Sequence, residues 1–220
     1  MSVYLPNGSK FYIASTIGAD KTFSAASNAA ECELSFAADP SLAANDLIEI
    51  TSGWERLNKR VVRVKSVSGA GPYLAVLESI NTTDTDLYPA LGGAGTVREV
   101  TAWTEITQVE TPSTSGGEQQ FVTYQPLSDD IEKRLPSNRS AQGIALTFFD
   151  DPTLAWYATV QSASDNNQTL YPVKIELKSG ARIFASGYWT MKEMPEMTVN
   201  SPMKSTIDIA LAGRITRYAS

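Results

Sequence analysis

Apolar residues recur at every second position over much of the chain. Ile144, Leu146 and Phe148 share one side of their segment. Val173, Ile175 and Leu177 alternate with Lys174, Glu176 and Lys178, and Ile207, Ile209 and Leu211 repeat the pattern. A period of two puts alternate side chains on opposite faces of a strand. Such runs, separated by clusters of Gly, Pro, Asn, Asp and Ser, are the signature of antiparallel sheet. They predict strands over 10–15, 46–51, 60–67, 73–79, 96–101, 105–110, 119–124, 141–149, 171–178, 182–192 and 205–212. Each has one dry and one wet face, as sheets require when they pack on one another or on a helix.

One stretch predicts a helix. Asp150 or Asp151 is placed to accept the first free amide and Pro152 suits the first helical position. Residues 153–162 then carry Leu154, Ala155, Trp156, Tyr157, Ala158 and Val160, so apolar a set that the helix must lie on a sheet. A further helical turn is expected over 25–33. Ser179 and Gly180 mark a tight hairpin. Residues 111–117 and 126–138 are polar and rich in turn formers, so the stretch between Glu110 and Ala141 reads as a long excursion holding one short strand. Long structured loops of this kind tend to carry function.

Composition narrows the function. At 220 residues, 42% hydrophobic and 19% charged, the chain is long and apolar enough to bury a core without disulfides. It holds 24 acidic against 18 basic residues, a net charge of −6, with no basic stripe of the kind that releases phosphate counterions. Specific binding of nucleic acid is therefore not expected, although nucleic acid can pass along a wall that repels it. The chain has no histidine, which removes the commonest general base and neutral metal ligand together. Its one cysteine, Cys32, has no basic neighbour in sequence and reads as a buried, inert thiol. No apolar run is long enough to cross a bilayer as a helix.

The remaining candidates for chemistry have plainer readings. Leu91 to Thr96 is glycine-rich but has no following lysine and leads into a strand, so it is a turn and not a phosphate cradle. Asp129, Asp130 and Glu132 do not match a calcium loop and read as a solvated cluster. Asp150 and Asp151 are helix-start signals and not a catalytic pair. Trp54, Trp103, Trp156 and Trp189 are scattered over separate elements, as expected of core or subunit contacts. No catalytic, metal or cofactor site is expected.

From Trp103 onward the order of features resembles the major tail tube proteins of lambda-type siphophages, which are related in architecture to type VI secretion tube proteins. The resemblance is carried by Trp103-Thr-Glu-Ile-Thr-Gln-Val-Glu-Thr-Pro112, the excursion with Gln119-Gln-Phe-Val-Thr-Tyr124, and Gly143-Ile-Ala-Leu-Thr-Phe-Phe149. It continues through Asp151-Pro-Thr-Leu-Ala-Trp156, the hairpin from Tyr171 to Trp189, and the last strand from Ser205 to Arg214. The resemblance implies a mainly β fold: a tail-tube β-sandwich or β-barrel of two packed antiparallel sheets with one flanking α-helix. In that family the first strand leads almost at once to the strand near Trp103. Residues 1–17 and 101–220 are therefore expected to form a discontinuous core domain, and 18–100 an inserted β subdomain on the tube exterior.

The function implied is structural and not enzymatic: stacked homo-oligomeric, hexameric rings whose lumen conducts DNA during ejection. The implied partners are further copies of the chain, a tape measure in the lumen, and terminator and tail-tip proteins at the ends. DNA would pass without specific binding and no membrane would be involved. Synthesis would take place in the host bacterial cytoplasm and the final location would be the virion tail. Stacking is assigned to the excursion, with Gln119, Phe121, Val122 and Tyr124 as contact residues and Asp129, Asp130 and Glu132 as charged partners. Two other classes stay open: another β-sandwich phage tail, connector or adhesin-type binding protein, and a hydrolase lacking histidine.

Overall fold

The structure, a computed structural model, describes residues 7–128 and 130–219. In chain order the strands are β1 (Lys10–Ile17), β2 (Lys21–Phe23), β3 (Ala25–Ala26), β4 (Glu33–Phe36), β5 (Leu47–Ser52), β6 (Arg60–Ser68), β7 (Tyr73–Leu77), β8 (Gly95–Ile106), β9 (Val109–Ser115), β10 (Gln119–Tyr124), β11 (Lys133–Arg139) and β12 (Gly143–Phe149). The helix α1 (Tyr157–Asp165) precedes β13 (Tyr171–Glu176), β14 (Arg182–Met191), β15 (Lys204–Leu211) and β16 (Thr216–Tyr218). The fold is mainly β, as the alternation predicts. Fourteen strands share one continuous antiparallel ladder in the order β3-β4-β7-β6-β5-β8-β1-β13-β14-β15-β12-β9, with β16 beside β14 and β2 beside β8. β10 and β11 form a separate two-stranded sheet.

The ladder surrounds two apolar cores. One is built from β2 to β8 around Phe23, Phe36, Ile50, Trp54, Val64 and Leu77. The other lies between β1, β12–β15 and α1, around Ile13, Leu146, Phe148, Trp156, Val173 and Trp189. β8 is long enough to serve both: its first half pairs with β5 and β2, and its second half pairs with β1. The alternation of β6 divides in the same way, since Val62 and Val64 enter the first core while Val61 joins Phe184 and Tyr218 in a small seam between the two.

That seam also has a polar part. Glu49, only 3% exposed, accepts hydrogen bonds from Arg98 and from the Ser186 hydroxyl. The Tyr218 hydroxyl accepts from the Arg63 amide at 2.9 Å, and the Arg63 guanidinium lies 4.5 Å from the centre of the Tyr218 ring.

Several expectations are corrected. The helix begins at Tyr157, not Thr153, because Asp151 uses its carboxylate in a local turn, accepting from the Thr153 amide at 3.0 Å and hydroxyl at 2.6 Å. α1 therefore starts without a side-chain cap and is held by packing of Val160 and Ala163. Residues 25–33 form β3, a loop and the start of β4 instead of a helical turn, since Ala25 and Ala26 pair with Ser35 and Leu34. The strands expected at 96–101 and 105–110 are one strand, β8, followed after Gln108 (φ +62°) by β9. The excursion holds β9, β10 and β11 where one strand is expected. β2, β4 and β16 are strands that the alternation does not reveal, being only three or four residues long.

Candidate assembly surface

The excursion is a projecting β-hairpin. Its base is fixed where Ser115 pairs with Gly143 at the end of the β9–β12 ladder. Gly116 turns the chain there with φ +73°, and a Cβ at this position would lie 1.7 Å from the Ala141 carbonyl oxygen, so a side chain is excluded. Beyond the base, Phe121, Val122, Thr123 and Tyr124 of β10 face Pro136, Leu135, Arg134 and Lys133 of β11. The pleat puts Phe121 and Pro136 on one face and Val122, Tyr124 and Leu135 on the other. Both faces are open to solvent: Phe121, Val122, Tyr124, Leu127, Ile131 and Leu135 are all exposed.

The residues expected to carry stacking are thus brought together on one element. Phe121, Val122 and Tyr124 stand outward, with the Arg134 guanidinium 4.8 Å from the centre of the Phe121 ring. Gln119 is half-buried and directs its amide inward, donating to the carbonyl of Ser137 at 2.9 Å across the hairpin. Asp130 and Glu132 are exposed in the turn. Asp129 lies outside the described residues. Leu127, Ile131 and Leu135 belong to the same surface but stand alone in a polar stretch, where no periodicity singles them out.

Two concavities lie at the foot of the hairpin. A cavity of about 250 Å³ opens at the end of the second core, lined by Ile144, Val173, Ile175, Ile183, Leu211 and Ile215 among others. Beside it runs a groove of about 1020 Å³ between the hairpin base and the segments around Arg56 and Arg214. A further exposed apolar set, Met194, Met197, Val199 and Met203, occupies the connection from β14 to β15.

The ladder itself leaves backbone exposed. Among the described residues, β9 pairs on one side only, with β12, and residues 101–106 of β8 pair on one side only, with β1. These two open edges adjoin each other across Thr107 and Gln108.

The other sequence candidates are embedded in structure. Trp54, Trp156 and Trp189 are buried, and Trp103 packs on Phe184 at 6.2 Å between ring centres. Gly93 sits against Trp54, so the glycine-rich stretch makes room for an indole. Cys32 is fully buried, and burial pushes its thiol up to about 11. Asp151 is held below the usual carboxylate range by its bonds to Thr153, the reverse of what a general acid needs. No helix among the described residues is long and apolar enough to cross a membrane.

The chain therefore presents a protruding hairpin with two uncovered apolar faces close to open sheet edges. Residues 52–220 match the phage tail tube protein family, and the chain belongs to that family. It is accordingly a structural component of the phage tail, and its place is the virion. The matched residues take in β6, β7 and β8 and the second core apart from Phe11 and Ile13 of β1. Two solved cryo-EM structures are similar to it at low level. One is of the cap that terminates the tube of the anti-feeding prophage, at 20% identity and a TM-score of 0.36 over 49% of this chain and 79% of that one. The other is of the anti-feeding prophage baseplate, at 7% identity and a TM-score of 0.39 over 82% and 97%. No curated protein sequence matches.

Proposed function

We propose that this chain forms homo-oligomeric, hexameric rings that stack into a hollow tube, and that the tube conducts DNA during ejection. The observation that carries the reading is the β10–β11 hairpin: an isolated two-stranded hairpin is marginal in water, and this one exposes large apolar side chains on both faces. A surface of that kind is stabilised by a partner, and an exposed patch of this sort marks an interaction site. Copies join side by side where the open edges of β8 and β9 complete one another's ladders, which also removes edges that would otherwise aggregate.

Residues 18–100 form the inserted subdomain, and its place is the outside of the tube. The reading gains support from the first core, which packs apart from the second except along the Val61, Phe184 and Tyr218 seam. The lumen is acidic, in keeping with the net charge of −6, so that phosphate slides past without binding. Other partners are a tape measure within the lumen and terminator and tip proteins at the two ends. Synthesis takes place in the bacterial cytoplasm.

Sedimentation and negative-stain microscopy of the purified chain over a range of concentrations test the reading. Rings or tubes with a central hole are expected, growing with concentration by mass action. A particle that stays single at every concentration contradicts it and favours an adhesin-type binding domain.

A further inference from the structure

The groove at the foot of the hairpin is unusual in a chain of net negative charge. Four arginines line it, Arg56, Arg60, Arg139 and Arg214, against two carboxylates, Glu55 and Asp86. Among the described residues, Arg56, Arg139 and Arg214 make no ion pair. Arg60 is anchored by donating from Nε to the Thr216 hydroxyl at 2.8 Å. Burial disfavours its charged form most, Tyr88 and Tyr218 offset part of that, and Arg214 adds a smaller like-charge effect. The hairpin tip offers two exposed carboxylates ahead of Lys133 and Arg134 of β11, the latter lying over the Phe121 ring. Asp130 and Glu132 are exposed, make no ion pair among the described residues, and stand beside the exposed Leu127 and Ile131.

We infer that the acidic tip of one copy's hairpin docks into the arginine-lined groove at the hairpin base of a second copy of this chain. The inference rests on the reading of the hairpin as the stacking element. Three observations select this occupant. The charges are complementary, and arginine binds carboxylates through two parallel hydrogen bonds. The shapes are amphipathic in the same order: the groove adjoins the 250 Å³ apolar cavity and shares Gln142, Leu211 and Ile215 with it, so carboxylates and aliphatic side chains of one tip find neighbouring sites. The geometry disfavours self-docking, because β10 and β11 run six and seven residues outward from the groove at about 3.3 Å per residue, which carries the tip about 20 Å from it.

Charge exchange tests the contact. One variant carries Asp130→Lys with Glu132→Lys, a second carries Arg139→Glu with Arg214→Glu, and a third carries all four; each position is exposed. Each two-site variant is expected to lower the yield of sedimenting tubes about tenfold or more, and the four-site variant to recover most of it. Unchanged yield in either two-site variant, or no recovery in the third, overturns the contact. If those results come while a chain lacking the hairpin still fails to polymerise, the stacking role of the hairpin survives and the tip-to-groove contact falls. If the hairpin-less chain polymerises, both fall. A second measurement covers variants that do not fold: Asp130→Cys with Arg214→Cys, in a chain whose Cys32 is buried, is expected to give a ladder of oligomers with a short bis-maleimide. Monomer alone after that treatment overturns the contact too.

Discussion

Replacing residues 117–140 by a two-residue Asn-Gly turn is expected to leave a chain that melts like the full-length protein and forms no tubes. The cut is local because, among the described residues, β10 and β11 pair only with each other. Ser115 and Gly143 already face one another in the β9–β12 ladder, so the short turn closes a hairpin that exists. No residue of the two apolar cores is removed. What is lost is six large exposed apolar side chains per copy, each giving about 1.5–3 kcal/mol when fully buried. Only part of that sum appears as affinity, since ordering the hairpin and joining the copies oppose it. Even a fraction, repeated at every ring, decides between polymer and free subunit. Scanning calorimetry and sedimentation of the same sample check both halves of the expectation. A chain that still makes tubes contradicts the role given to the hairpin.

The second large effect falls on the seam between the two cores. Glu49→Leu removes the carboxylate that Arg98 and Ser186 share, leaving a half-buried guanidinium and a buried hydroxyl without it. Breaking one side of a buried pair costs about 3 kcal/mol, a large share of the 5–15 kcal/mol that holds most domains together. Because Glu49 sits on β5 and Ser186 on β14, the substitution also weakens the attachment of the first core to the second. Chemical denaturation is expected to show the lower midpoint, with the unfolding of residues 21–100 preceding the rest. Adding Arg98→Met removes the stranded charge and recovers most of the loss, as replacement of whole buried pairs generally does. A single transition at the wild-type midpoint in Glu49→Leu contradicts this account of the seam.

Where the fold was legible in sequence, one face of a strand is buried. Ile144, Leu146 and Phe148 point into the second core as their alternation predicts, and Ile207 and Ile209 face them across the β12–β15 ladder. The readings that missed share a physical cause. A carboxylate before a proline is a cap only if a helix amide is the nearest donor, and here Thr153 is nearer to Asp151. Ala25 and Ala26 prefer helix in isolation, but the ladder to Ser35 and Leu34 overrides that preference. β11 contains Pro136 and almost no alternation, because both of its faces are wet and nothing in folding selects a pattern.

The candidate assembly surface was half legible. Gln119 to Tyr124 stands out as a strand within a polar run, and the structure places it on the hairpin. The groove was not legible, since Arg56, Arg60, Arg139 and Arg214 come from separate parts of the sequence and converge through the turn before β6, β6 itself, β11 and the turn before β16.

A three-dimensional reconstruction of the assembled particle by electron microscopy tests the central claim most directly. The account predicts a hollow tube in which residues 101–106 of β8 and the outer side of β9 hydrogen-bond to strands of neighbouring copies, with every β10–β11 hairpin lying on the adjacent ring. A particle without a channel, or one whose β8 and β9 edges remain unpaired, contradicts it.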